Sequence, residues 1–451
     1  MSSRAVPALA LAALALFTSA CGSTELIATP HVMAGEEGRA SYAAVSTALR
    51  TADISLVYVT DRAVVEEERR DFGAVYGTGR DPLLRFGTAT IGFDPQPSWE
   101  QLVAASTQLE RESSYEVGLK RVVQRGVMAS LHGKHVVIDG ELVYPAEALE
   151  AFRADREALL ACFEPFLRPG DDNEVLLYVH GFNNTFEDAA LRLGQLWHAM
   201  GRRGVPLLYT WPSAYDSWLM PVAYNHDRES GEFSTAHLKL LLITLALHPR
   251  ISGVHLIAHS RGTDVATTTL REIGTEVWSA HGGTTFAQLA QGGRKISALD
   301  AKAVRAAAQV VKLKTVVLAA ADMDLMVFAQ RFMTQRVLRL MDRLVVYSST
   351  GDFAIGGADV LFASDLRLGE TDYERCDPDL RRILGGLGTV EMIECRLDAD
   401  SHAYLFEHPA ALSDLIRVIR DRAPPGAEHG RPLLERAPGF YVLQDDYLRP
   451  R

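Results

Sequence analysis

The chain reads as an α/β protein, with a mainly parallel central sheet and helices on both faces. Three observations predict this class. Short apolar runs recur from residue 175 onward: Val175–Val179, Pro206–Trp211, Val254–Ala258, Thr315–Ala320, Leu344–Ser348 and Val390–Cys395. Most are near-continuously apolar, as in strands covered on both faces. Helix-competent stretches separate them, among them Phe186–Arg202, Phe233–Leu247 and Asp264–Ile273, and such alternation builds a parallel sheet with right-handed crossovers. The third run passes straight into Ala258-His259-Ser260-Arg261-Gly262 and a further helix. Small residues two before and two after the serine suit a tight strand-to-helix turn, where neighbouring backbone crowds any larger side chain.

The 451 residues are 47% hydrophobic and 23% charged, a balance that can bury a large core. A net charge of −11 argues against a nucleic-acid partner, which favours a basic surface. Residues 1–21 carry Arg4, a brief apolar run from Ala8 to Phe17, then small residues up to Cys21, the layout of an export signal too short to span a membrane. The small residues before Cys21 resemble a bacterial lipoprotein cleavage box, which implies lipid on Cys21, although Thr18 stands where that box usually has Leu. Gly22 follows the cysteine, with no Asp to suggest inner-membrane retention. The expected location is the bacterial envelope, lipid-anchored at the periplasmic face of the outer membrane, with plain secretion or periplasmic release as the alternative.

Residues 22–52 are polar and Ala/Ser-rich, a tether. Residues 53–170 form an N-terminal extension with the first strands and helices. In it Ile54–Thr60 and Phe86–Phe93 read as strands, 98–130 as helical or mixed, His135–Val143 as a hairpin around Asp139-Gly140, and Ala146–Phe166 as a helix. Residues 171–422 form the core. Within it 275–314 is long for one crossover, and Gly282-Gly283 and Gly292-Gly293 suggest inserted helices or a lid. Leu412–Arg420 is an amphipathic closing helix, and the Pro-rich 423–451 a tail. Cys162 lies in an apolar run and reads as a buried free thiol, whereas export would permit a Cys376–Cys395 disulfide.

The chemistry-bearing residues sit where strands end. Ser260 follows one run, Asp352 ends the strand and turn beginning at Leu344, and His402 lies in the loop after Val390–Cys395. A hydroxyl, a base and an acid that orients the base are the parts of nucleophilic acyl transfer. Tyr178-Val-His-Gly-Phe182 runs a strand into a bend whose next N–H, on Phe182, can face the serine; Arg261 offers the second N–H for an oxyanion. The acid is Asp352 or, at the end of the preceding strand, Asp324; Asp322 reads as the cap of the helix at Leu325. His408 competes with His402. His180 shapes the bend, with no partner at metal-ligand spacing, and His259 packs below the elbow. Asn183, Trp211 and Tyr224 either contact substrate or serve the loop backbone and the sheet edge. No phosphate-cradling glycine loop and no Cys/His cluster is present, so neither a metal nor another cofactor is expected.

Tyr178-Val-His-Gly-Phe-Asn-Asn184, Thr210-Trp-Pro-Ser213, Tyr224-Asn-His-Asp-Arg-Glu-Ser230, His259-Ser-Arg-Gly262 and Leu318-Ala-Ala-Ala-Asp-Met-Asp324 together resemble the bacterial family of α/β-hydrolases of unknown function. Val57-Tyr-Val-Thr-Asp-Arg62 and Leu84-Arg-Phe-Gly87 match its preamble, so the likeness covers roughly residues 54 to 420. Arg261 replaces the commoner Met or Gln, and Ala321 the usual Pro. The resemblance implies an α/β-hydrolase fold and a serine hydrolase of carboxylesterase or lipase type, acting on a small-molecule or lipid ester. Two alternatives keep the fold: an acyltransferase with the same triad, and an envelope binding protein without turnover. No feature signals an oligomeric state.

Overall fold

In the computed structural model, residues 25–69, 72–128, 133–168, 173–215, 220–280, 311–334, 337–352, 366–398 and 401–450 are described. The strands, in chain order, are β1 (Ile54–Arg69), β2 (Gly73–Asp94), β3 (Glu116–Met128), β4 (Val136–Ile138), β5 (Glu141–Val143), β6 (Glu174–Val179) and β7 (Val205–Thr210). They continue with β8 (Gly253–His259), β9 (Leu313–Ala319), β10 (Met341–Ser348), β11 (Val390–Arg396), β12 (Leu434–Ala437) and β13 (Phe440–Gln444). Eleven of these form one sheet in the order β12-β13-β11-β10-β9-β8-β6-β7-β1-β2-β3. From β1 through β7, β6, β8, β9, β10 and β11 to β13 every neighbour is parallel; only the outer pairs β1–β2, β2–β3 and β12–β13 are antiparallel. Every residue of β7 and β8 is buried, as apolar strands sandwiched between helical layers require.

All six apolar runs are strands, and the helices Phe186–Ala199, Met220–Ala246 and Gly262–Ala280 lie between them. The first of these starts at a reciprocal capping box between Thr185 and Asp188. The β4–β5 hairpin turns at Asp139 (φ 53°) and Gly140 (φ 85°), the two positive φ values that its tight turn demands.

The ends differ from expectation. Residues 25–52 are not a tether: Val32, Met33, Tyr42 and Val45 are buried, and Val32 N donates to Ser413 Oγ at 3.1 Å. The stretch 98–130 holds a short helix, Trp99–Ala105, and then β3, whose outward positions are polar and hid the strand's alternation. Residues 423–450, expected as a tail, close the sheet through β12 and β13. Arg431, fully buried, pairs with Asp414 at 2.7 Å and with Glu391, and Tyr347 and Tyr447 donate to Asp414 at 2.6 and 2.7 Å.

Cys162, Cys376 and Cys395 are all buried free thiols, so the Cys376–Cys395 disulfide is absent. Successive strand residues face opposite sides. Glu394 shares its side of β11 with Asp372 and Tyr373, close in sequence to Cys376, whereas Cys395 faces the Asp414 side. Cys21 and residues 281–310, the bulk of the expected insertion, lie outside the described residues.

Candidate active site

β8 ends at His259, and Ser260 takes φ 50° before the helix begins at Gly262. A left-handed serine costs roughly 1–2 kcal/mol and persists only where its surroundings hold it. Ser260 N donates to Ala319 O at 2.9 Å, while its carbonyl accepts from Thr263 N (3.0 Å), Thr263 Oγ1 (2.6 Å) and Asp322 N (3.3 Å). Two glycines let the chain after β6 lie against this turn. A Cβ on Gly262 would stand 2.2 Å from His180 O, and one on Gly181 2.7 Å from Ser260 Cβ.

His402 Nδ1 lies 2.6 Å from Asp352 Oδ2. Asp352 is 4% exposed and fixed in the turn after β10 through its N–H to Ser349 O. With Nδ1–H given to the carboxylate, Nε2 is the ring position left to accept a proton. The His402 loop is braced twice: His259 Nε2 donates to His402 O at 3.1 Å, and Ser401 Oγ donates to Glu407 at 2.6 Å, itself paired with Arg192. Burial disfavours the imidazolium, but the charge and hydrogen bond of Asp352, with Asp322 behind them, outweigh it and raise the His402 pKa. Ser260 Oγ makes no hydrogen bond among the described residues; the elbow reaches the imidazole loop through His259, whose ring lies 4.9 Å from that of His402.

The other expected residues sort by geometry. Phe182 N and Arg261 N have no acceptor among the described residues. Asp324 caps the helix Leu325–Ala329, accepting from Met326 N and Val327 N at 2.8 and 3.1 Å. It is Asp322, expected as the cap, that turns inward, accepting from Arg367 at 2.7 Å and from the Tyr224 hydroxyl. His408 pairs with Asp445 and caps the helix Pro409–Ile419, away from the serine's partners. Trp211 does not line a pocket: it is fully buried, stacks on His180 at 5.3 Å and donates its indole N–H to His180 O at 2.8 Å. Tyr224 sits beside the elbow, its ring 5.3 Å from Phe182 and 5.5 Å beneath the Arg261 guanidinium. Asn183 is half-buried at φ 54°, with its N–H directed at Asp227.

Arg261 is itself anchored by Asp264 at 2.8 Å. Two residues to which sequence reasoning gave no role, and Asp322 in a role other than the expected cap, hold the site together. Asp227 accepts from Asn183 N and Ala214 N, Ser213 Oγ accepts from Asn184 N, and Asp322 ties Tyr224 to Arg367. Asp227 lies inside the Tyr224–Ser230 motif, so its signal was present without its role.

No curated protein and no solved structure matches the chain. The alpha/beta hydrolases of unknown function match residues 155–422, more than half of the chain and a span that contains β6 to β11 with Phe182, Ser260, Asp352 and His402. The chain therefore belongs to that family, and its mostly parallel helix-covered sheet is an α/β-hydrolase fold.

Proposed function

We propose that the chain is a serine hydrolase that cleaves carboxylic esters of small molecules or lipids through an acyl-enzyme on Ser260. The observation that carries this reading is the 2.6 Å His402–Asp352 contact, with the His402 ring 4.9 Å from that of His259, the residue before a serine held at positive φ. His402 Nε2 takes the Ser260 proton as Oγ bonds to the ester carbonyl carbon, and the N–H groups of Phe182 and Arg261 bind the resulting oxyanion. Collapse expels the alcohol, which leaves with the proton from His402. Water, deprotonated by the same imidazole, then attacks the acyl-enzyme and frees the acid. Asp352 keeps the tautomer in which Nε2 is the base. Catalytic hydrogen bonds commonly tighten only once substrate is bound, which accommodates the unbonded Ser260 hydroxyl.

The test is ester hydrolysis by a form beginning at Gly22, across a series of acyl chain lengths, with Ser260→Ala as control. Turnover lost in Ser260→Ala and one-to-one fluorophosphonate labelling of Ser260 are expected. A folded protein that neither labels nor turns over is the binding protein without catalysis. A new ester formed on adding an alcohol acceptor marks an acyltransferase. We also propose lipid attachment at Cys21, which places the site in the envelope; labelled palmitate incorporation should vanish in Cys21→Ser.

A further inference from the structure

Arg62 is 1% exposed, yet no carboxylate lies within ion-pair distance of it among the described residues. Removing a cation from water without a counter-charge is costly, so such a group calls for a reason. It lies just beyond Thr60, the last β1 residue paired with β7, at the sheet edge from which β6 and β8 deliver His180 and Ser260. Every polar contact it makes lies on the chain around the oxyanion turn or on the strands that back it. Nε donates to Thr210 Oγ1 at 2.8 Å, and Nη1 donates to Ser213 O at 3.0 Å and Gly77 O at 3.1 Å. Nη2 donates to Asn184 O at 2.6 Å and lies 3.4 Å from His180 Nε2.

The fork thus holds the Asn184 end of the segment 180–184 directly and meets its His180 end through Thr210 Oγ1, which lies 2.8 Å from Arg62 Nε and 3.0 Å from His180 Nε2; Phe182 is at the segment's centre. His180 completes the grip. Its Nε2 accepts the Trp211 N–H at 3.1 Å, so Nδ1 carries the proton and donates to Gly181 O at 2.9 Å. Burial, and then Arg62, push the His180 pKa well below 6.5, so this imidazole stays neutral. Burial also pulls Arg62 down to about 10, with Asp227, Asp61 and Asp188 opposing from longer range, which leaves it charged at neutral pH.

We propose that Arg62 is a positioning residue for the oxyanion turn, whose fork holds the Phe182 N–H toward Ser260 and whose unpaired charge favours the anion formed on the substrate oxygen. This rests on the serine-hydrolase reading above. A lysine cannot replace the fork, because its ammonium is a point charge that cannot span Asn184, Ser213 and Thr210 in one plane.

The experiment compares wild type, Arg62→Lys and Arg62→Met by thermal unfolding, by fluorophosphonate titration of Ser260, and by kcat, KM and boronic-acid affinity per titrated serine. Misplacement of a catalytic group from outside the reacting shell costs about 10²-fold. Arg62→Met should lose about that in kcat and, in parallel, in affinity for the tetrahedral boronate anion, with KM little changed; Arg62→Lys should fall between. A purely structural arginine would lower the melting temperature while leaving kcat and boronate affinity per titrated serine at wild-type values, and that result overturns the proposal. Where Arg62→Met does not fold, Arg62→Lys decides by the same readout, since it keeps the charge and loses the fork. A wild type that neither labels nor turns over refutes the hydrolase reading instead.

Discussion

His259 Nε2 donates to the main-chain oxygen of His402 at 3.1 Å, joining the residue before Ser260 to the loop that carries the proposed base. Burial first, and then the neighbouring His402, hold the His259 pKa well below its usual value, so the donor is a neutral ring. A net hydrogen bond of this kind contributes about 1 kcal/mol. His259→Phe, which fits beside Phe406 at 5.3 Å, should lower stability by about that amount. It should also reduce kcat with little change in KM, as the imidazole loses its register to Ser260. Urea unfolding and steady-state kinetics on one preparation check both; unchanged kcat at reduced stability would confine His259 to packing.

The two aspartate candidates separate cleanly by substitution. Asp352→Asn removes the acceptor that fixes the His402 tautomer, and kcat should fall by about 10³–10⁴-fold with the fold intact. Asp324→Ala removes a helix cap and should cost about 1 kcal/mol of stability with kcat unchanged. The reverse pattern of activities would move the acid to Asp324.

The pH profile follows from the raised His402 pKa. The proposed base works only when neutral, so kcat/KM should fall as the pH drops through a value above 6.5. Asp322 contributes negative charge toward this imidazole. Asp322→Asn makes the imidazolium less favourable, so the acid limb must move to lower pH; an unmoved or upward-shifted limb contradicts the assignment. Stability runs the opposite way with pH. A pKa raised on folding makes the His402–Asp352 contribution complete below the unfolded value near 6.5, and that contribution is lost as pH climbs through the folded one.

The parallel strands were legible because β6 to β11 are apolar on both faces, and a run such as Val254–Ala258 admits few other structures. Ser260, Asp352 and His402 could be nominated because each follows such a run. Residues whose roles depend on direction were not legible. Asp322 and Asp324 stand two apart in one turn, and which one caps the helix is decided by backbone geometry that spacing does not encode. Trp211 read as a substrate contact or sheet-edge aromatic and Arg62 only as the end of a motif, yet both are buried against the turn at His180, one stacked on its ring and the other donating to Asn184 O. The C-terminal strands were hidden behind Pro432 and charged neighbours, since their anchor, Arg431, finds its partners on a helix and a strand remote in sequence.

Thiol titration tests the cysteine assignment directly. Cys162, Cys376 and Cys395 are buried, and burial raises the pKa of all three, Cys376 to about 11. A form beginning at Gly22 should therefore show no rapidly reacting thiol when native, and all three in denaturant without reductant. One thiol in denaturant, rising to three after reduction, would restore a disulfide.

Arg431 tests whether the closing strands belong to the cooperative unit. Its guanidinium is bound to Asp414 at 2.7 and 2.9 Å and to Glu391, with all of Asp414 buried. Burial would raise the Asp414 pKa, but Arg431 and the hydroxyls of Tyr347 and Tyr447 hold it below its usual value. Arg431→Met strands that carboxylate in the core, and breaking a buried pair from one side costs about 3–5 kcal/mol. Replacing both charges, Arg431→Met with Asp414→Leu, should recover only part of the loss, because the stranded charge is gone but the Tyr347 and Tyr447 hydroxyls lose their acceptor. β13 pairs with β11, whose end leads into the His402 loop, so ester turnover in Arg431→Met should decline along the same urea curve as the spectroscopic signal. Turnover that outlasts the signal would make β12 and β13 a separately melting edge.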